Sequence, residues 1–425
     1  MSPCSAALSE YAPGFEDPDA PFLTYHFFPP DGSPQSRRLS RGEFWSLARR
    51  AAGVLREAGL GCGGCFALYF SANRPEDLAF RLGATMVGAV PVTVNWQADT
   101  PERIAFKIER TAAGLLVTDG GVPPENVAAL RERFDALTVF GIEGLASVAE
   151  LPEDEFCADD ALGPHATRII IFTSGTTGEP KGVRLPYRSY ATNRATFESF
   201  LQVGPGDAFA PLIVNPMHHT NSTAFTDWSL RRPDTHLHLV ERYSTRYWAV
   251  LAQVAGRGER VVAPLVSRHF DYLENLRRED RLPVPADGLR EAMSNVDFLL
   301  GSAPVGPTTV QRVREWAGRL PLVRFGSTET CLQVLGTSPG LDPEARQRAF
   351  EAGWRHTRNG EAQCGYYIGR PHSPHTEVRI VRSADRASED YMRECEAGEP
   401  GCLITRGENV MDAYVGDDEA TRRVL

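Results

Sequence analysis

The run Thr173-Ser174-Gly175-Thr176-Thr177-Gly178-Glu179-Pro180-Lys181-Gly182 follows four apolar residues, Ile169-Ile170-Ile171-Phe172, and constrains the chain more than any other stretch. An apolar strand here delivers the backbone into a loop of hydroxyls, glycines and one lysine. Glycines let backbone N–H groups approach phosphate oxygens, Ser and Thr add hydroxyl donors, and lysine supplies a mobile cation. The loop is suited to wrapping a polyphosphate. It is not a Walker A loop, because Pro180 stands where the second glycine of that pattern belongs and Gly182 follows the lysine.

Lys181 gains weight from composition. Of the 45 basic residues only Lys107 and Lys181 are lysine, and the rest are arginine. Where arginine serves every generic positive charge, a retained lysine marks a place that needs a compact ammonium rather than a planar guanidinium.

Along the chain, apolar strands alternate with amphipathic helices. Ser40-Arg41-Gly42-Glu43 is a capping box, and Phe44, Leu47, Ala48, Ala51 and Leu55 follow at helical spacing until Gly59. Strands are expected at 66–70, 90–94 and 115–117, with helices from Pro75 and after Thr100-Pro101. The acidic stretch 144–165 reads as a connector. Strands near 168–172, 209–214, 236–240, 297–300 and 322–325 resume the alternation, and from about 360 short strands at 376–381 and 401–405 predict a small barrel or antiparallel cap. The expected fold is α/β: two doubly wound sheets with covering helices plus a small C-terminal β-barrel-like subdomain. Linear boundaries are 1–165 for the first α/β subdomain, 166–330 for the second with the phosphate loop, and 331–425 for the β-rich part, with segments crossing between them.

At 425 residues and 42% hydrophobic the chain can bury large cores, and a net charge of -10 without a basic cluster argues against nucleic acid or an anionic membrane as partner. No stretch approaches ~18 uninterrupted apolar residues, so no membrane span is expected. An acidic N-terminus without a basic start is no signal peptide, and a cytoplasmic location with reduced thiols is expected for the eight cysteines. Cys62-Gly63-Gly64-Cys65 has C-x-x-C spacing without a second pair, and its glycines read more simply as a turn. His236 and His238 alternate on one strand face with no acidic or cysteine partner at ligand spacing, which favours structural roles over metal binding.

Three further segments fall in a telling order: Leu300-Gly301-Ser302-Ala303-Pro304, Arg324-Phe325-Gly326-Ser327-Thr328-Glu329, and Gly407-Glu408-Asn409-Val410-Met411 through Tyr414, with Gly369-Arg370-Pro371 before the last. Together with the loop at 173–182 they resemble the adenylate-forming superfamily, which includes acyl- and aryl-CoA synthetases, adenylation domains of peptide synthetases and the luciferases. The resemblance runs from about residue 40 onward. Ala413 replaces a family glycine, and the connection from Glu329 to Gly369 is longer than is usual.

The resemblance implies ATP-dependent activation of a carboxylic acid to an acyl-adenylate, followed by transfer to CoA. The alternatives are a stand-alone adenylation unit loading an acyl carrier protein, or a non-enzymatic acyl-adenylate or nucleotide-binding module. It implies that Thr173, Ser174, Gly175, Thr176, Thr177 and Gly178 hold the β- and γ-phosphates with Lys181 neutralising them. Thr328 donates to the α-phosphate, and Glu329 binds Mg²⁺, an ion that takes hard oxygen ligands. Gly301, Ser302, Ala303 and Pro304 cover one face of adenine and Phe325 stacks on the other, with Arg324, Gly326 and Ser327 completing the nucleotide side. Taken alone, Phe325 reads more readily as a core aromatic at a strand end, and it is the following Gly326-Ser327-Thr328-Glu329 that favours stacking on the base. Pro216-Met217-His218-His219-Thr220-Asn221 resembles the segment bordering the acyl pocket, which places His219, Asn221, Thr223, Ala224, Gly301 and Gly326 near the acid. Without the motif, paired histidines read as a strand end.

Leu425 precedes the point where relatives carry a ribose-binding aspartate and a C-terminal lid domain with the adenylating lysine. Lys107, on a predicted amphipathic helix, is no assumed substitute. The expectation is a truncated form that still binds a preformed acyl-adenylate, adenylates slowly and makes no thioester.

Overall fold

Ser40 starts its helix as the sequence requires. Its hydroxyl accepts the Glu43 N–H at 3.2 Å, and the Glu43 carboxylate accepts the Ser40 N–H at 2.7 Å. Two otherwise unpaired donors of the first turn are thereby satisfied. The helix Arg41–Glu57 buries Phe44, Ala48, Ala51 and Leu55 against the helix Pro75–Val87, whose every residue but Glu76 is buried.

The computed structural model describes residues 6–29, 34–157, 162–173, 179–338, 340–358, 360–362 and 365–425. Ser174, Gly175, Thr176, Thr177 and Gly178 lie outside the described residues. The remaining elements form two large sheets. In the seven-stranded sheet the spatial order is Ala413–Tyr414, Lys181–Pro186, Thr167–Thr173, Val90–Thr93, Cys65–Tyr69, Leu115–Thr118 and Thr138–Gly141. Its interior pairs are parallel, while Lys181–Pro186 runs antiparallel to Thr167–Thr173 and Ala413–Tyr414 antiparallel to Lys181–Pro186. In the nine-stranded sheet the order is Arg370–Pro371, Leu335–Gly336, Leu322–Phe325, Val296–Leu300, Arg260–Leu265, Phe209–Ile213, Leu237–Val240, Pro21–Phe27 and Gln35–Ser40.

Both sheets recruit strands from distant parts of the chain. Pro21–Phe27 pairs in parallel with Leu237–Val240, and Ala413–Tyr414 closes an edge of the sheet built mainly from residues 65–186. The β-rich stretch after 331 is divided in the same way: its short strands at 335–336 and 370–371 extend the nine-stranded sheet, leaving Glu377–Val381 and Cys402–Arg406 as a separate antiparallel ladder.

Between the sheets runs the helix Thr220–Arg231, buried from Thr220 to Leu230. Its polar residues are tied internally, with Thr226 and Ser229 hydroxyls donating to carbonyls one turn back at 2.7 and 2.9 Å. Asp227 is its anchor. One carboxylate oxygen accepts Tyr11 Oη at 2.7 Å and faces Arg168 Nε at 3.4 Å, and the other accepts Arg194 Nη1 at 2.6 Å. Burial opposes charge on Arg168, yet Tyr11, Tyr187 and Asp227 hold its pKa above the ordinary arginine value. Arg194 also pairs with Glu10. One carboxylate thus joins the N-terminal segment, the strand Thr167–Thr173, the helix Tyr187–Leu201 and the central helix.

The expected histidine strand face is present, and its partners come from the N-terminal strand. His236 Nε2 lies 2.8 Å from Thr24 Oγ1, and His238 Nδ1 lies 2.9 Å from His26 Nε2. Cys62 and Cys65 do not converge. Cys62 Sγ sits 3.0 Å from Cys157 Sγ, whereas Cys65 Sγ contacts the Gly63 carbonyl.

Two outcomes are expected. Asp227→Asn leaves Arg168 and Arg194 buried without full compensation and should cost about 3–5 kcal/mol in a denaturant titration, as breaking a buried pair does; an unchanged midpoint would remove Asp227 from this role. Burial, followed by nearby cations, lowers His26 and His236 from 6.5 to about 4. The unfolded chain binds these protons first, so stability is full above pH 6.5 and is lost as pH falls toward 4. Thermal midpoints across that window check it, and a flat profile would contradict it.

Candidate functional site

The carboxyl ends of the parallel strands converge on a cavity of about 620 Å³ lined by Thr220, Asn221, His219, Ser302, Gly326, Ser327 and Thr328 among others. A smaller cleft of about 300 Å³ at the 377–406 ladder and the last helix contains none of the motif residues. Crevices outside the carboxyl ends of open α/β sheets are where ligands bind. The position agrees with that rule.

At one side of the cavity the phosphate-loop strands meet the Glu329 turn. Thr173 pairs with Lys181 across the antiparallel strands, so both ends of the loop are fixed. Lys181 Nζ lies 5.0 Å from the Tyr414 ring centroid. Tyr414 Oη donates to Glu329 Oε1 at 2.8 Å, and burial followed by this carboxylate raises the phenol pKa. The backbone of the same segment holds the turn: Met411 N–H donates to the Glu329 carbonyl at 2.7 Å, and Asn409 Nδ2 to the Thr330 carbonyl at 2.9 Å. A cation, a phenol and a carboxylate are thus assembled from three distant parts of the chain.

The strand Leu322–Phe325 ends in opposite-facing side chains. Phe325 is 41% exposed, so it is no core aromatic. Arg324 is buried, with Nη2 donating to Asn221 Oδ1 at 2.7 Å and its guanidinium carbon 5.1 Å from the Phe225 ring centroid. Its side chain lies toward the central helix, which corrects the expectation that it completes the nucleotide side. Gly326 is required by packing: a Cβ there would fall 1.9 Å from the Leu332 carbonyl oxygen. At Gly301 a Cβ would meet the Arg324 carbonyl at 2.9 Å and its Cγ at 3.0 Å. Ser302 adopts φ +62° and lines the cavity, while Pro304 accepts the Ser267 hydroxyl at 3.0 Å. Ala303 follows Ser302 in the same loop.

His219 precedes the central helix as its N-cap residue and opens onto the cavity. His219 is exposed toward that cavity, and desolvation followed by Lys107 lowers its pKa. His218 is buried edge-on to Trp96 at 6.1 Å, and burial, then His219, pushes it down to about 2. Both imidazoles are therefore neutral at pH 7.

Helix rotation separates the expected acyl-pocket residues. Thr220 and Asn221, in the first turn, reach the cavity. Thr223 instead pairs with Tyr190 Oη at 2.7 Å, and Ala224 packs into the main core, so neither is among the wall residues. Sequence reasoning missed Trp96, Gln97, Arg242, Tyr243, Arg268 and His269, all on the wall. The rule that ligands gather at strand carboxyl ends was the signal available, since these residues follow the strands at 90–93, 237–240 and 260–265. Lys107 is committed elsewhere: its ammonium contacts Asp99 at 2.5 Å and lies 5.1 Å from the Phe172 ring centroid.

A sequence model described as AMP-binding enzyme matches residues 14–415. The chain is 26% identical over 407 residues to the indoleacetate–CoA ligase of Aromatoleum aromaticum, covering 92% of this chain and 69% of that protein. It is 25% identical over 400 residues to 4-coumarate–CoA ligase 5 of Oryza sativa subsp. japonica, covering 91% and 66%. The chain thus spans about two thirds of the length of these curated relatives. The fold is similar to that of o-succinylbenzoate CoA synthetase from Bacillus subtilis in complex with the acyl-adenylate intermediate OSB-AMP, with TM-score 0.73, 21% identity, and 100% and 74% of the two chains covered. The N-terminal domain of FACL13 from Mycobacterium tuberculosis matches with TM-score 0.73 at 20% identity, covering 99% and 92%.

The hydroxyl of Tyr414 should hold the Glu329 turn. Tyr414→Phe is expected to speed amide exchange in residues 328–331 while leaving the strand Thr167–Thr173 protected, because a hydrogen bond to a charged group contributes about 1.5–3 kcal/mol. Unchanged exchange in the turn would assign its order to the Met411 and Asn409 contacts alone.

Proposed function

The chain belongs to the AMP-binding enzyme family, and on that premise we propose that it activates a carboxylic acid with ATP, giving an acyl-adenylate and pyrophosphate, with CoA as the acceptor of the acyl group. The observation that carries the reading is the convergence of Lys181, Tyr414 and Glu329 beside a cavity bordered by Thr328, Ser302 and His219.

Adenylation brings together two anions, the acid carboxylate and a triphosphate. A catalyst must hold them in line and offset their charge. In this reading Lys181, with the loop it ends, takes the outer phosphates; its ammonium has a ring beside it rather than a carboxylate partner among the described residues. Thr328 donates to the α-phosphate. Phe325, exposed at its strand end, stacks on the base opposite Gly301, Ser302 and Ala303. His219, neutral and open to the cavity, donates a hydrogen bond to the acid or to the departing pyrophosphate without adding a charge.

The residues present fit Mg²⁺. Tyr414 engages Glu329 Oε1, and the second carboxylate oxygen has no hydrogen-bond partner among the described residues. One carboxylate plus phosphate oxygens is a donor set that Mg²⁺ favours, and the ion when bound neutralises phosphate charge. Glu329 would hold it, and Tyr414 would fix the direction in which that carboxylate points.

Lys181→Ala and Glu329→Gln should each weaken Mg·ATP binding about tenfold or more, the equivalent of a lost charge-assisted contact of about 1.5–3 kcal/mol. Thermal midpoints should change little, since neither side chain belongs to the buried cores. Calorimetric titration with ATP and Mg²⁺ is the measurement. Wild-type affinity in both variants would defeat the phosphate assignment, and absence of ATP binding by the wild-type chain would defeat the function.

A further inference from the structure

Arg324 carries a charge that no carboxylate answers among the described residues, its neighbours being the Asn221 amide and the Phe225 ring. It is 4% exposed, and no carboxylate pairs with it among the described residues. Nε and Nη1 are buried without a hydrogen-bond partner, and the Asn221 amide is the acceptor it has. Desolvation alone lowers its pKa to about 9, so it stays charged near neutral pH. A buried cation of this kind is costly unless paired: of the other arginines buried as deeply, Arg168 and Arg194 have Asp227, Arg81 has Asp77, and Arg41 donates to four backbone carbonyls, where Arg324 has one amide oxygen.

The contact to Asn221 has a directional consequence. Guanidinium only donates, so it fixes the amide oxygen toward Arg324 and leaves the amide NH₂ as the group Asn221 can offer elsewhere. Asn221 lines the cavity. Behind that amide stands an uncompensated positive charge, in surroundings where charge interactions are weakly screened. The wall itself includes Arg242 and Arg268 and no Asp or Glu. Arg324 faces the opposite way from the exposed Phe325, so its charge is not directed at the base-stacking side. Gly301, whose Cβ would crowd Arg324 Cγ, leaves the space the side chain occupies.

We propose that Arg324, acting through Asn221, makes the chain select acids with a second carboxylate, so that the substrate is a dicarboxylic acid whose distal end reaches the Asn221 amide. The inference rests on the adenylation reading above. Arg324 is a positioning and specificity residue in it, and the reacting carboxylate lies at the Thr328 end of the cavity. The distal carboxylate accepts from the Asn221 NH₂ and supplies the counter-charge that Arg324 lacks.

The test uses matched pairs of acyl-sulfamoyl adenosines, from succinyl to suberoyl and terephthaloyl, each against the analogue with an uncharged tail of equal length. Calorimetry on the whole chain should show at least one carboxylate-tailed member binding more than about tenfold tighter than its neutral match, the value of a charge-assisted contact. Arg324→Met should abolish that preference and keep or raise the thermal midpoint, because it removes a buried unpaired charge. Asn221→Asp gives Arg324 an internal carboxylate, so it should also keep or raise the midpoint while turning the preference toward the neutral tail. A purely structural Arg324 would leave tail preference untouched. Equal binding of both tails by the wild-type chain overturns the proposal and leaves adenylation standing, and so does a preference retained in either variant. Binding of no mimic with either tail overturns the proposal together with the function beneath it.

Discussion

The carboxylate of Asp227 is the interaction on which the site depends. It is buried on a helix that is itself buried, and it meets Tyr11, Arg168 and Arg194 within hydrogen-bond or ion-pair distance. Arg168 belongs to the strand that leads into the phosphate loop, and Asp227 lies two turns along the helix that opens with Thr220 and Asn221. The ion pair therefore fixes the strand Thr167–Thr173 relative to the helix whose first turn lines the cavity. Packing alone would not, since apolar contacts are non-directional. Charged groups at such a junction define one arrangement because any other leaves an ion unpaired in low dielectric.

A second constraint comes from the far end of the chain. Residues 407–414 donate backbone and side-chain hydrogen bonds to the turn at 328–330 and then pair with Lys181–Pro186. Tyr414 thereby touches Glu329 with its hydroxyl and Lys181 with its ring face. An aromatic face attracts an ammonium without neutralising it, whereas a carboxylate in that place would. Lys181 is left positioned with a ring rather than a carboxylate beside it among the described residues, which suits the phosphate role proposed for it. The geometry gives a physical reason for a lysine in a chain that has only one other: a compact ammonium fits over a single ring and can still reach a ligand.

Much of this was legible in the sequence because it depends on local chemistry. The Ser40–Glu43 capping box, the helix stops and the alternation of strand and helix involve residues within a turn or two of each other, and they appear where periodicity put them. The order of the motif segments pointed to the family that matches residues 14–415. What could not be read depends on long-range pairing or helix rotation. Nothing local says that Pro21–Phe27 joins a strand more than two hundred residues away. Thr223 and Asn221 are two positions apart, and the helical turn between them sends one to Tyr190 and the other to the cavity. Arg324 sat beside Phe325 in a recognised motif and inherited its neighbour's assignment, although adjacent strand residues face opposite sides.

Among the described residues, some of the buried polar atoms without a protein partner stand at or beside the cavity. Trp96 Nε1, Asn215 Oδ1, both nitrogens of His218, Thr220 Oγ1 and two nitrogens of Arg324 are among them. Others lie away from it, Tyr247 Oη, Arg346 Nε and Arg382 Nε among them, while Thr226 and Ser229 bond back along the central helix and the two Nη atoms of Arg41 donate to the carbonyls of Gly14, Arg232, Pro233 and Thr235. A folded chain normally satisfies such groups, and those left over mark places where stability was traded for function. Of these, Trp96, Asn215 and Thr220 line the cavity, and the indole and the hydroxyl can donate. A wall with unanswered donors disfavours an apolar tail, whose burial would leave each donor desolvated and unpaired, and it favours a tail that accepts hydrogen bonds. On the adenylation proposed above, the same groups would sharpen selection among acids, because the wrong acid leaves the existing cost in place and the right one removes it.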